Sequence, residues 1–123
     1  MLIDAVGSTG YQLLKLALDA SSMRHQATAN NIANSNTENY QALRVSFEEQ
    51  LRQEITSSGG TLRSDTVSRL APRIEVDPHV GAGISVDQEM VHMTQNFIHY
   101  QALLKALNGR LELTNLAINE GRR

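Results

Sequence analysis

No cysteine occurs among the 123 residues, which removes thiol catalysis, thiolate metal sites and disulfides together and leaves the redox compartment open. Aromatic residues make up only 4% of the chain, and tryptophan is missing, so no large aromatic-anchored core is expected. A strong charge of either sign is missing too. The formal net charge is −2 and the sequence pI is near 6.0. That balance argues against nucleic acid as a partner, because phosphate binding needs a basic surface, and against a polybasic membrane anchor. No apolar run approaches the ~20 residues that cross a bilayer. The first basic residue is Lys15, and Asp4 and Asp19 flank the one apolar stretch near the N-terminus, so no cleaved secretory signal is expected.

Catalytic and metal-binding patterns are equally scarce. The four histidines are His25, His79, His92 and His99. His92 and His99 stand seven apart, ~10 Å along a helix, too far to share one ion without further ligands. No His-Glu-x-x-His pattern is present. The carboxylate clusters Glu48-Glu49, Glu75 with Asp77, and Asp87 with Glu89 read as solvated faces or helix N-termini. Gly81-Ala82-Gly83 lacks both a third glycine and a following Lys-Ser/Thr, so it reads as a turn and not a phosphate cradle. No enzyme, cofactor or metal site is expected.

What the chain does have is helical pattern at both ends. Residues 9–33 place Leu13, Leu16, Ala17, Ala20, Met23 and Ala27 at spacings of three and four, an apolar stripe rich in small residues. The run Asn34-Ser35-Asn36-Thr37-Glu38-Asn39 then stops the helix, because Asn and Ser side chains compete for backbone hydrogen bonds. The region 34–84 is irregular. Ala42 to Ile55 suggests a strand followed by a short helix, Ser57-Ser58-Gly59-Gly60 a flexible link, and Leu62 to Val80, with Pro72 and Pro78, extended segments and turns or local disorder more than stable helix.

Residues 85–121 carry the clearest signal. Val86, Met90, Met93, Phe97, Tyr100, Leu104, Leu107, Leu111, Thr114 and Ile118 follow at steps of 4, 3, 4, 3, 4, 3, 4, 3 and 4. Only Thr114 among them is polar. This spacing is the seam of a coiled-coil helix, and packing explains Met90, Met93 and Phe97 better than an apolar ligand does. Ser85 with Gln88 three residues later forms a capping box, and Gly121 with Arg122 and Arg123 marks the stop. A helix of ~35 residues is ~52 Å long, whereas a compact globule of this size has a radius of gyration of about 14 Å. The expected fold is therefore mostly α and elongated. Its two terminal helices pair as a coiled coil within one domain, with part of the seam left for other subunits.

The string Asn30-Asn31-Ile32-Ala33-Asn34-Ser35-Asn36-Thr37-Glu38-Asn39-Tyr40 resembles the N-terminal signature of the bacterial flagellar axial rod and hook family. In that signature Asn-Ile-Ala-Asn is followed by two residues and then Thr-Pro-Gly-Tyr. Asn31, Ile32, Ala33, Asn34, Thr37 and Tyr40 match without a gap, and Phe47 falls where the family keeps an aromatic. Glu38 and Asn39 replace the usual Pro and Gly, although Asn tolerates a left-handed backbone. Near the other end, Gly81, Ile84, Asp87, Glu89, Met90, Asn96, Tyr100, Gln101 and Ala102 are similar to proximal rod proteins of the FlgB type. Val80 and Ala82 depart from the residues usual around Gly81.

The resemblance implies a proximal rod subunit of the flagellar basal body that polymerises by helix packing and transmits torque. Its implied partners are other rod subunits, a basal-body adaptor, the membrane ring protein and the flagellar type III export apparatus. The implied location is the periplasmic rod, reached without a cleaved signal peptide, and no nucleic acid is involved. Asn30, Asn31, Ile32, Ala33, Asn34, Thr37 and Tyr40 would be the assembly signature. The amides would either end the first helix or, buried between helices, fix register as an isolated Asn does in coiled coils. The alternative function is a small coiled-coil adaptor or secretion chaperone forming a closed complex.

Overall fold

A computed structural model of the chain describes residues 2–78 and 83–122. The element order is α1 (Leu2–Ala33), β1 (Leu43–Ser46), α2 (Glu48–Ser57), α3 (Ser64–Val67), β2 (Arg73–Val76) and α4 (Val86–Glu120). The turn expected at Gly81-Ala82 and the residues His79 and Val80 lie outside the described residues.

Two long antiparallel helices form the frame, and α1 is its hub: α4, β1, β2 and α3 all pack on it. At 32 and 35 residues, α1 and α4 are each ~50 Å long. The protein is a mostly α, elongated helix pair with short strands in the middle. The first helix starts at Leu2, earlier than the expected Thr9, and so takes in Gly7 as well as Gly10. Each glycine costs a helix interior about 1 kcal/mol. Their missing side chains make room for Arg110, however. Its Nη2 donates to the Gly7 carbonyl at 3.1 Å, and a Cβ at Gly10 would stand 2.8 Å from its guanidinium. Tertiary packing outweighs propensity here.

A small core lies on one side of α1. Ala20, Phe47 and Leu70 are buried together, with Leu13, Leu16, Ala17, Val45 and Leu51 against them. The single turn α3 adds buried Thr66 and Val67. β1 and β2 pair antiparallel, with Leu43 opposite Val76 and Ser46 opposite Arg73. The Ala42–Ile55 stretch thus forms strand β1 and most of α2. Ser57-Ser58-Gly59-Gly60 is a built helix end and not a loose link. Gly59 and Gly60 have φ of 72° and 91°, and the Gly60 N–H reaches the Ile55 carbonyl at 2.8 Å while the Gly59 N–H bonds that of Thr56. This is a Schellman arrangement.

Two local signals behave as their chemistry requires. Ser85 caps α4, its hydroxyl accepting from the Gln88 N–H. Asn39 has φ of 59°, the left-handed conformation that Gly adopts freely and Asn tolerates. Asn39→Gly should therefore change stability by only a few tenths of a kcal/mol, whereas Asn39→Val should cost about 1–2 kcal/mol. Urea unfolding of the two variants checks this; equal losses would mean the turn does not depend on the backbone of residue 39.

Candidate assembly interface

The signature turn is organised by one side chain. Asn31 is fully buried and its amide uses every hydrogen-bonding position it has. Its Oδ1 accepts from the Leu43 N–H at 2.8 Å and the Tyr40 hydroxyl at 3.3 Å. Its Nδ2 donates to the Leu43 carbonyl at 3.0 Å and to Glu89 Oε2 at 3.0 Å. Leu43 and Val76 are a non-hydrogen-bonded pair, because the ladder bond beside them runs from the Asp77 N–H to the Ala42 carbonyl. The outward backbone groups of Leu43 are thus sealed by Asn31, which joins α1, the turn, β1 and the start of α4.

The other signature residues serve the turn itself or remain at the surface. Asn34 Nδ2 donates to the Asn30 carbonyl at 2.9 Å, and its Oδ1 accepts from the Thr37 hydroxyl at 3.2 Å. Ile32 is half-buried, while the side chains of Asn30 and Ala33 are exposed. The two readings of the amides therefore divide between residues. Asn34 ends a helix; Asn31 fixes how separate elements meet.

Glu89 is the second member of this junction. Its carboxylate, expected at the surface as a charge on the first turn, is 2% exposed. Arg44 grips it from β1, with Nη2 to Oε1 at 2.7 Å and Nη1 to Oε2 at 3.2 Å. Asp77, also expected on a solvated face, approaches Arg44 Nε at 3.3 Å, and His92 Nδ1 stands 3.8 Å from Glu89. Burial alone would raise the Glu89 carboxyl. The hydrogen bonds from Arg44 and Asn31, with the charges of Arg44 and His92, outweigh it and hold the group below its ordinary value of 4.5.

That depression fixes a sign for acid. As pH falls, the unfolded chain takes up this proton first, so the stability contributed by Glu89 is complete above its unfolded value. It is lost as pH drops through the lower folded value. Glu89→Gln should flatten the loss of stability below about pH 4.5. Thermal unfolding of both chains from pH 7 to 3 tests this, and parallel curves would show that the carboxylate is not the titrating group.

α4 presents two distinct heptad faces. The one against α1 runs through Glu89, Met93, Asn96, Tyr100, Leu103, Leu107 and Arg110, all buried or half-buried. Asn96 Nδ2 donates to the Ser21 carbonyl at 2.8 Å, and the Ser21 hydroxyl donates to Asn96 Oδ1 at 2.9 Å. Met93, Tyr100 and Leu107 of the apolar seam read from the sequence lie on this face. Leu104 is half-buried at its margin. Val86, Met90, Phe97, Leu111 and Ile118 are exposed, Met90 and Phe97 by 57% and 59%. Val86 shares its heptad position with Met93 at the exposed start of α4, whereas the other four belong to a second face, Met90, Thr94, Phe97, Gln101, Leu104, Asn108, Leu111, Asn115 and Ile118, again at steps of 4 and 3 and without a charged residue.

The rest of the surface offers less. A groove of about 540 Å³ between α1, β1 and α4 is lined in part by Arg24, Arg44, His92 and His99. Its two arginines are already paired, Arg24 with Glu48 and Arg44 with Glu89 and Asp77. Among the described residues no group of three potential ligands could hold a metal ion, and no helix is long and apolar enough to cross a membrane.

A long helix pair with a satisfied polar junction and a charge-free apolar face on its surface has the architecture of a structural helix-packing subunit. The family model described as "Flagella basal body rod protein" matches residues 16–41, the segment from the middle of α1 through the signature turn. The chain is also 32% identical over 121 residues to the flagellar basal body rod protein FlgB of Bacillus subtilis (strain 168), covering 90% of this chain and 94% of that protein. The chain belongs to the flagellar basal body rod protein family, a structural family of the bacterial flagellum.

Proposed function

We propose that this chain is a proximal rod subunit that polymerises through α4, the face running from Met90 to Ile118 seating on helices of neighbouring rod subunits. The carrying observation is the exposure of that face. Five apolar residues at seven-residue intervals, Met90, Phe97, Leu104, Leu111 and Ile118, widen the apolar stripe of α4 beyond what one partner helix covers. In a two-stranded coiled coil the flanking positions carry charges. Here they are apolar, with Thr94, Gln101, Asn108 and Asn115 between them. The outer face of α1 is a poor match, since Tyr11 is the one exposed large hydrophobic among its described side chains.

Repeated contacts of this kind between unlike patches build an open helix, and an axial helix of interlocked subunits is what carries torque. The adaptor, the membrane ring and the export apparatus are the further partners in this reading, with the periplasmic rod as location. Photo-cross-linking in motile cells tests it. A cross-linking residue at Phe97 should yield adducts with other rod proteins, and one at Gln12, on the exposed side of α1, far fewer. Equal yields at both positions would sink the assignment of this face.

A further inference from the structure

Two rotational settings of α4 compete for the same surface of α1. The apolar pattern favours a seam through Met90, Met93, Phe97, Tyr100, Leu104 and Leu107. The structure uses Glu89, Met93, Asn96, Tyr100, Leu103 and Leu107. Every second position has moved back by one residue, so the settings differ by half a residue step, about 50° at 3.6 residues per turn. Hydrophobic burial taken alone selects the first, because the observed setting leaves Met90 and Phe97 more than half exposed.

Polar bonds hold the second. Glu89 accepts from Asn31 and Arg44, Asn96 exchanges two bonds with Ser21, and Arg110 reaches the Gly7 carbonyl. These rungs stand 7 and 14 residues apart, on one line along α4. Ser21 and Asn31 are fully buried on the α1 side. Turning α4 to bury Met90 and Phe97 would swing all three rungs off α1 and strip buried groups of partners, which a folded chain avoids.

We infer that Glu89, Asn96 and Arg110 form a rotational lock: they set α4 on α1 with its polar rungs inward, and they exclude the setting in which the subunit buries its own outer apolar face. What the outer face is kept free for rests on the function proposed above; the lock itself does not. Such use of polar contacts to choose one packing over another parallels the single buried Asn that fixes register in coiled coils.

The absence of native cysteine makes single-thiol probes clean. In the otherwise unchanged chain, Met90→Cys should react with a thiol reagent at least tenfold faster than Leu103→Cys. Combining Glu89→Ala, Asn96→Ala and Arg110→Ala removes the rungs and leaves the apolar pattern to decide, so the order of the two rates should reverse. Arg44 keeps Asp77 as a partner in that variant. Combining Glu89→Leu, Asn96→Leu and Arg110→Leu supplies apolar residues on the observed seam, and the parental order should persist. An unchanged order in the alanine variant overturns the lock. So does a reversed order in the leucine variant, or fast labelling of both probes with loss of helix in the alanine variant, which would make the rungs general braces. Entry into basal bodies is read separately, so failure of the docking assignment leaves this result standing and the converse holds.

Discussion

Phe97→Asp should leave the free subunit folded, within about 1 kcal/mol of the parent, and still keep it out of the basal body. Phe97 is 59% exposed, so the free chain loses little on substitution. In an assembled rod the same residue would be buried in a helix contact, where an aromatic contributes roughly 1.5–3 kcal/mol. An aspartate there forfeits this and places an unpaired carboxylate in an apolar seam at a cost of roughly several kcal/mol more. Lys105→Asp, on an exposed position away from that face, keeps its charge solvated and should be tolerated within about 0.5 kcal/mol. Motility and basal-body yield for the two variants side by side, with urea unfolding of the free proteins, check the expectation. Similar motility in both would place the Met90–Ile118 face against solvent.

Asn31→Leu should do the opposite and damage the free subunit first. It removes one amide and leaves the Leu43 N–H and the Tyr40 hydroxyl without their partners, while the Leu43 carbonyl and Glu89 each lose one bond and keep Arg44. At about 1–3 kcal/mol for each group left unpaired, the loss comes to roughly 2–6 kcal/mol, a large share of the 5–15 kcal/mol that holds a small domain. Asn34→Ala, which removes a half-buried amide serving only its own turn, should cost about 1 kcal/mol. Denaturant unfolding ranks the two. A smaller loss for Asn31→Leu than for Asn34→Ala would show that the junction is not organised as described.

The contrast between those asparagines also shows what the sequence could and could not reveal. Helix existence was legible because spacing of three and four speaks for itself, as were the Ser85 cap, the strand after the signature and the left-handed tolerance of Asn39. The role of Asn31 was not, since four asparagines within residues 30–36 look alike until tertiary contacts separate them. From sequence Glu89 reads as a solvated or helix-N-terminal charge, because its partner Arg44 lies 45 residues away, beyond any local pattern. One signal could have found it: Glu89, Asn96 and Arg110 share a heptad position with Leu103, and polar residues recurring on a seam position ask for partners. The rotational setting of α4 escaped for the same reason. Apolar periodicity ranks faces by hydrophobicity alone, whereas the structure satisfies buried polar groups first and leaves the more apolar flank outside. The extra length of α1 reflects Arg110 lying against Gly7 and Gly10, a contact that helix propensity does not contain.

In an assembled rod the second face of α4 must point at a neighbouring subunit. A density map of a basal body containing this subunit, at a resolution that shows side chains, measures it directly. Met90, Phe97, Leu104, Leu111 and Ile118 should be buried against a helix of a neighbouring subunit, with Asn31 still bonded to Leu43 and Glu89 inside its own chain. A map with that row of side chains facing solvent, or folded back onto α1 of the same subunit, would contradict it.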